Sequence, residues 1–154
     1  MTAGTDPDGV PDAAVGSARP SLLYVAKQLE LVVRARLDEI LKDEGITALQ
    51  YTALTVLDRH DGLSPAQLAR DSFVTPQSTA GLVANLERRG LVRRERNPAS
   101  RRELVVRLTA AGRRLLLRHA AEVAALEARM TGSLDPVAVD VFRAYLDACR
   151  LALS

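Results

Sequence analysis

Apolar positions recur at three- and four-residue intervals over most of this chain. Leu22, Val25, Ala26, Leu29, Val32, Val33, Leu37, Ile40 and Leu41 predict a long amphipathic helix over 22–42, closed by Gly45. Thr47 followed by Gln50 is a capping-box signature that starts a second helix, running to about Arg59. Ser64-Pro65-Ala66-Gln67 repeats the signature with proline at the first helical position, for a short helix to about Arg70. After the turn Asp71-Ser72-Phe73-Val74, Thr75-Pro76 caps a fourth helix that ends near Arg89, with Gly90 as its C-cap. Thr79, Leu82, Val83 and Leu86 form its buried stripe. Its other side, with Gln77, Ser78, Ala80, Gly81, Ala84 and Asn85, is small and polar and carries no acid before Glu87.

The period then changes. Residues 91–96 and 103–108 fit two strands, and Asn97-Pro98-Ala99-Ser100 is turn chemistry. They predict an antiparallel hairpin with Arg101 and Arg102 in or near its tip. Thr109 caps a helix over 110–130, Gly132-Ser133 breaks it, and Asp135-Pro136 starts a last amphipathic helix. Residues 1–20 are rich in Gly, Pro, Asp and Ala without periodicity and read as a disordered tail. They lack the basic head and apolar stretch of a secretory signal. No run of about 18 apolar residues exists, so no membrane span is expected and the cytoplasm is the expected location.

Charge sharpens the picture. The formal net charge is +2, yet eleven arginines and only two glutamates lie between Arg88 and His119. The rest of the chain carries ten basic and seventeen acidic residues. A basic block in an otherwise acidic chain predicts a localised polyanion-binding face. Aromatics are 3% of the chain, too few for a base-stacking platform. Cys149 is the only cysteine, and His60 and His119 are the only histidines, so neither a cysteine zinc cluster nor a His-rich metal site is expected. Cys149 reads as a small buried hydrophobe on an apolar stripe, His60 as a helix-end residue and His119 as a helix-surface residue. Tyr24, Tyr51 and Tyr145 read as packing with a wet hydroxyl, or as walls for an aromatic ligand. No paired catalytic carboxylates, Ser/His/Asp set or phosphate loop is present, so neither an enzyme nor a cofactor is expected.

The order of helix, short helix, turn, helix and basic hairpin describes a helix-turn-helix with a wing. The predicted fold is all-α with a small β-hairpin wing, an α+β winged helix-turn-helix. Residues 47–109 form the DNA-binding domain, and residues 21–46 and 110–154 form a helical dimerisation region. The second helix of the pair must enter the major groove, which needs a slim, non-acidic outer face. Arginines of the hairpin can follow phosphates or enter the minor groove. The long flanking helices carry apolar stripes that pairing across a two-fold axis would bury. A winged-helix protein-interaction module that binds no DNA is the alternative, with an acidic protein opposite the wing.

Three stretches carry a resemblance. They are Leu63-Ser64-Pro65-Ala66-Gln67-Leu68-Ala69, the run from Thr75-Pro76-Gln77-Ser78-Thr79 to Arg89-Gly90-Leu91-Val92, and the run from Asn97-Pro98-Ala99-Ser100-Arg101-Arg102 to Leu108-Thr109-Ala110-Ala111-Gly112. In this order they resemble the MarR family of bacterial transcriptional regulators, over about residues 21–152. The resemblance implies a homodimeric repressor on a pseudo-palindromic double-stranded DNA operator, often released by a small aromatic or phenolic ligand. It places Arg102 at the wing-tip arginine position that enters the minor groove, and Gln77, Ser78 and Gly81 on the recognition helix. The family commonly has an acid where Ser100 stands, a departure that bears on the rigidity of the wing, and often a base where Gly81 stands, which implies more reliance here on the wing, Gln77 and Asn85. The candidate DNA-contacting residues are Thr75, Gln77, Ser78, Gly81 and Asn85 on the helix, with Arg94, Arg96, Ser100, Arg101 and Arg102 on the wing.

Overall fold

The computed structural model describes residues 19–72 and 75–153. The expected tail lies outside the described residues except for Arg19 and Pro20, as do Phe73 and Val74 of the expected turn and the side chain of Arg101. Helix α1 (Leu22–Ile40) passes through a 3₁₀ turn (Lys42–Glu44) into α2 (Ala48–Arg59), α3 (Pro65–Asp71) and α4 (Pro76–Arg88). The hairpin of β1 (Val92–Asn97) and β2 (Ser100–Leu108) follows, then α5 (Ala110–Thr131) and α6 (Pro136–Ala152). Helix α1 ends at Ile40, earlier than its apolar periodicity predicts. The chain tightens into the 3₁₀ turn and leaves it through Gly45 at φ 62°, a left-handed backbone that costs glycine nothing.

Each helix begins where a side chain accepts an orphan backbone N–H. Ser21, Thr47, Ser64, Thr75, Thr109 and Asp135 each accept from the residue three positions on. Gln50 and Gln67 complete both capping boxes, accepting from the N–H of Thr47 and of Ser64, each at 2.9 Å.

The core joins Leu54 and Leu57 of α2, Leu68 of α3, Leu86 of α4, Val92 and Val106 of the hairpin and Leu115 of α5. Burying each such leucine contributes about 1.5–3 kcal/mol, so the central unit holds itself together. Helix α5 joins it through its first turns, where Gly112 is buried. A Cβ on Gly112 would lie 2.4 Å from the Leu91 carbonyl oxygen and 2.6 Å from Leu108 Cδ1. By contrast, neither α1 nor α6 has a buried residue among those described.

Strand β2 begins at Ser100, earlier than predicted, so the turn is only Pro98-Ala99 and Arg101 and Arg102 lie within the strand. The register jumps from Arg96↔Leu104 to Asn97↔Ser100. Arg101, Arg102 and Glu103 therefore fall between consecutive partners of β1, in a bulge that re-aims side chains. Asn97 braces the tip: its Oδ1 accepts from Ala99 N–H at 3.0 Å and its Nδ2 donates to Glu103 at 3.2 Å. At the base, Val106 N–H donates to the Leu63 carbonyl at 2.8 Å, which joins the hairpin to the α2–α3 link.

Candidate nucleic-acid interface

Helix α4 turns Thr79, Leu82, Val83 and Leu86 inward. Gln77, Ser78, Ala80 and Gly81 are exposed on the opposite side. No heavy atom lies within 4 Å of where a Gly81 Cβ would sit, so the helix backbone can approach a partner closely there. Thr75 spends its hydroxyl locally, accepting from Ser78 N–H at 3.2 Å and donating to Ser78 Oγ at 2.9 Å. Ser78 keeps its own hydroxyl proton for a partner.

Asn85 departs from the expected outward face. It is half-buried, and its Oδ1 accepts from Gln50 Nε2 of α2 at 2.9 Å. The cause is helical geometry: Asn85 lies about 80° around the helix from Gln77, on the flank facing α2. Arg88 instead continues the line of Gln77, Gly81 and Ala84 one turn further, and it is exposed. Helical phase alone could have singled it out.

The basic block is narrower than its sequence suggests, because acids from elsewhere fold onto it. Arg94 pairs with Glu87 of α4 at 3.3 Å, so it straps the wing to the recognition helix. Arg113 pairs with Asp58 at 3.2 Å and Arg118 with Glu44 at 3.0 Å. Arg107 reaches both Asp61 and Glu95. The Glu95 carboxyl is held below its ordinary range, first by the hydrogen bond from Arg93 and then by that from Arg107. Arg96 is exposed on β1, and Ser100 is half-buried at the start of β2. Arg102 is exposed in the bulge, and its guanidinium has no hydrogen bond or ion pair among the described residues. What remains is a slim α4 face, uncharged from Gln77 to Ala84, with cationic side chains at Arg88 on the helix and Arg102 on the wing, while Arg114 is exposed on α5.

Two interactions that hold this surface are invisible at the sequence level. Arg89, the C-cap of α4, donates to the backbone carbonyls of Glu44 and of Gly45, the latter at 2.7 Å. His119 is half-buried, not a free surface residue: Nε2 lies 3.0 Å from Glu44 Oε1 and Nδ1 3.1 Å from Glu122 Oε1. Cys149 is exposed instead of buried in the single chain, on a helix without a buried residue among those described.

Residues 44–103 match the model of the MarR family. The HTH-type transcriptional repressor Rv2887 of Mycobacterium tuberculosis is 34% identical over 124 residues, 80% of this chain and 89% of that protein. A MarR-family regulator from Silicibacter pomeroyi superposes with a TM-score of 0.77 at 26% identity, covering 86% of this chain and 89% of the other. CouR from Rhodococcus jostii, solved with p-coumaroyl-CoA bound, gives 0.77 at 25% identity over 84% and 92%. The extent and identity of the match to the mycobacterial repressor, on a fold shared over most of the chain, show that this chain belongs to the MarR family of transcriptional regulators.

Proposed function

We propose that this chain is a homodimeric, sequence-specific repressor that binds a pseudo-palindromic operator in double-stranded DNA and is released by a small ligand. The observation that carries it is the pairing of a slim α4 face with an exposed Arg102 on the adjoining wing, whose guanidinium has no partner among the described residues. Gln77 and Ser78 read base edges, Gly81 allows close approach, and Arg102, Arg101, Arg96 and Ser100 follow the backbone or the minor groove. Asn85 and Arg94 orient these elements from behind. The function is binding, with no catalytic step, and its place is the cytoplasm where the chromosome lies. A mycobacterial relative carries the name of repressor, which supports this sense of regulation.

The dimerisation region is the set of helices with apolar surface left over. Leu22, Leu23, Val137, Tyr145, Leu151 and Leu153 are all more than 60% exposed in the single chain. A second copy covers them and sets two recognition helices about 34 Å apart, one turn of DNA. The ligand fits a cavity of 290 Å³ between α1 and α2, walled by Val33, Leu37, Ala48 and Leu49. Ser72 also lines it, with a buried hydroxyl that has no hydrogen-bond partner among the described residues, and Arg34 stands at its edge. Thr52 and Glu30 complete the lining, with Glu30 paired to Arg34, so apolar walls with the Ser72 hydroxyl suit a small aromatic or phenolic ligand.

The test is selection of bound sequences from a random duplex pool, followed by titration of the selected and scrambled duplexes at several salt concentrations. Affinity that falls steeply with salt, with the selected duplex preferred by about 10³-fold, supports the reading. Equal, salt-insensitive binding to both overturns it.

A further inference from the structure

Glu44 links the end of α4 to α5. Its backbone carbonyl accepts from Arg89 at the end of the recognition helix. Its carboxylate is gripped from α5 by Arg118, with Nε and Nη2 each 3.1 Å from one of its two oxygens, and by His119 Nε2 at 3.0 Å. The same imidazole places Nδ1 3.1 Å from Glu122. A neutral imidazole has one N–H, so it can donate to only one of these carboxylates and must aim a lone pair at the other. An imidazolium donates to both.

We propose that Glu44 and His119 form a proton-dependent latch that positions the recognition helix through Arg89, closed when His119 carries both protons. This rests on the repressor reading above. The groups facing the imidazole are Glu44 from the 3₁₀ turn, Glu122 and Arg118 from α5, and Arg89 from α4 by way of the Glu44 backbone. Arg36 and Glu39 of α1 share a groove with Glu122 and pair with each other at 2.8 Å. Lys42 and Asp43 of the 3₁₀ turn are exposed. The Glu44 carboxyl sits below its ordinary range, chiefly through the His119 hydrogen bond, consistent with a donor held against it.

The consequence is geometric. In a dimer α5 belongs to the scaffold that sets the distance between the two recognition helices, and a two-half-site operator tolerates little error in that distance. With the latch closed, the tail of α4 is tied to that scaffold. Loss of the proton turns one of the two carboxylate interactions repulsive, which leaves Arg118 as the remaining charged grip on Glu44 and loosens the tie on the tail of α4. Imidazole is the side chain suited to this change near neutral pH.

Two measurements on the full chain decide it. The first is the ¹⁵N–¹H spectrum of the imidazole rings from about pH 5.5 to 8, with exposed His60 as internal reference. Both His119 nitrogens should be protonated at the low end and one at the high end. A ring that is neutral throughout, or charged throughout, overturns the latch whether or not the chain binds DNA. The second is affinity for the duplex selected from the random pool, at fixed salt across the same pH range. The parent chain should lose about fivefold or more in affinity as pH rises. His119→Gln should be flat. Glu122→Gln, at a well-exposed position that leaves the fold intact, should also flatten the profile, because its amide can donate to a neutral ring. His60→Gln should keep the parent profile. A flat parent profile, or an unchanged profile in both His119→Gln and Glu122→Gln, overturns the positioning role. If no duplex is selected at any pH, the repressor reading falls and the positioning role with it, while the ring spectrum still reports the latch.

Discussion

Arg107 of β2 carries its guanidinium onto Asp61 of the α2–α3 link, and so ties the wing to the helix-turn-helix. The same guanidinium reaches Glu95 on the paired strand. The fork of an arginine can serve two carboxylates at once, which a lysine cannot do with fixed geometry. The bond leaves little room over the neighbouring loop, since a Cβ on Gly62 would lie 3.0 Å from the Arg107 guanidinium.

Asp61→Asn should therefore loosen the wing more than the fold. Asp61 is half exposed, so the thermal stability loss should stay under about 1 kcal/mol. Duplex affinity should fall several-fold. Equal affinity to the parent in a salt titration would show that the clamp does not set the wing.

Gly112→Ala is expected to be far more costly than its chemistry suggests. The new methyl would meet the Leu91 carbonyl and Leu108 at distances no Cβ tolerates, and the backbone there cannot yield easily. A loss of about 1–3 kcal/mol in urea unfolding is the expected result. Gly81→Ala, in open space, should be neutral or slightly stabilising in the same assay.

Arg102 and Gln77 should fail in different ways. Arg102→Ala should weaken binding to every duplex and lower the slope of log affinity against log salt by about one unit for each phosphate it no longer neutralises. Gln77→Ala should cost about 1–3 kcal/mol on the selected duplex and much less on scrambled DNA. Titration of both variants against both duplexes checks this. An equal loss on the two duplexes for Gln77→Ala would place the reading face elsewhere on α4.

The Glu44 carboxyl, held below its ordinary value of 4.5 first by the His119 bond and then by the Arg118 charge, has a defined sign for stability. Its folded state binds protons less readily than the unfolded chain. The contribution is full above that ordinary value and is lost as pH falls below it. Acid melting curves between about pH 5 and 3 should thus decline less steeply for Glu44→Gln than for the parent. An identical decline would remove Glu44 from the acid response.

Val137→Lys combined with Leu151→Lys should yield a helical monomer. Both positions are largely exposed in the single chain, so the fold of the central unit loses nothing, while a two-fold interface gains buried charges. Sedimentation at micromolar concentration with circular dichroism checks it. A dimer that persists would move the interface off α6.

What the chain discloses without its fold is whatever depends on neighbours three or four residues apart. Thr47 with Gln50 and Ser64 with Gln67 mark helix starts, Thr79 to Leu86 mark a buried stripe, and the ordered run to Gly112 marks the family. Such signals are local because caps and helical faces are made within one turn. Even the wing is legible, apart from the start of β2, since a bulge leaves no mark on alternation. The tertiary structure alone decided which polar residues remain available. Asn85 is taken by Gln50 across 35 positions, Arg107 by Asp61 across 46, and Glu44 by His119 across 75. A carboxylate and a cation on separate elements have no preferred spacing in sequence. They meet only because packing the leucine core brings α2, α4, α5 and the hairpin together, and that meeting leaves Arg102 and Gln77 facing outward.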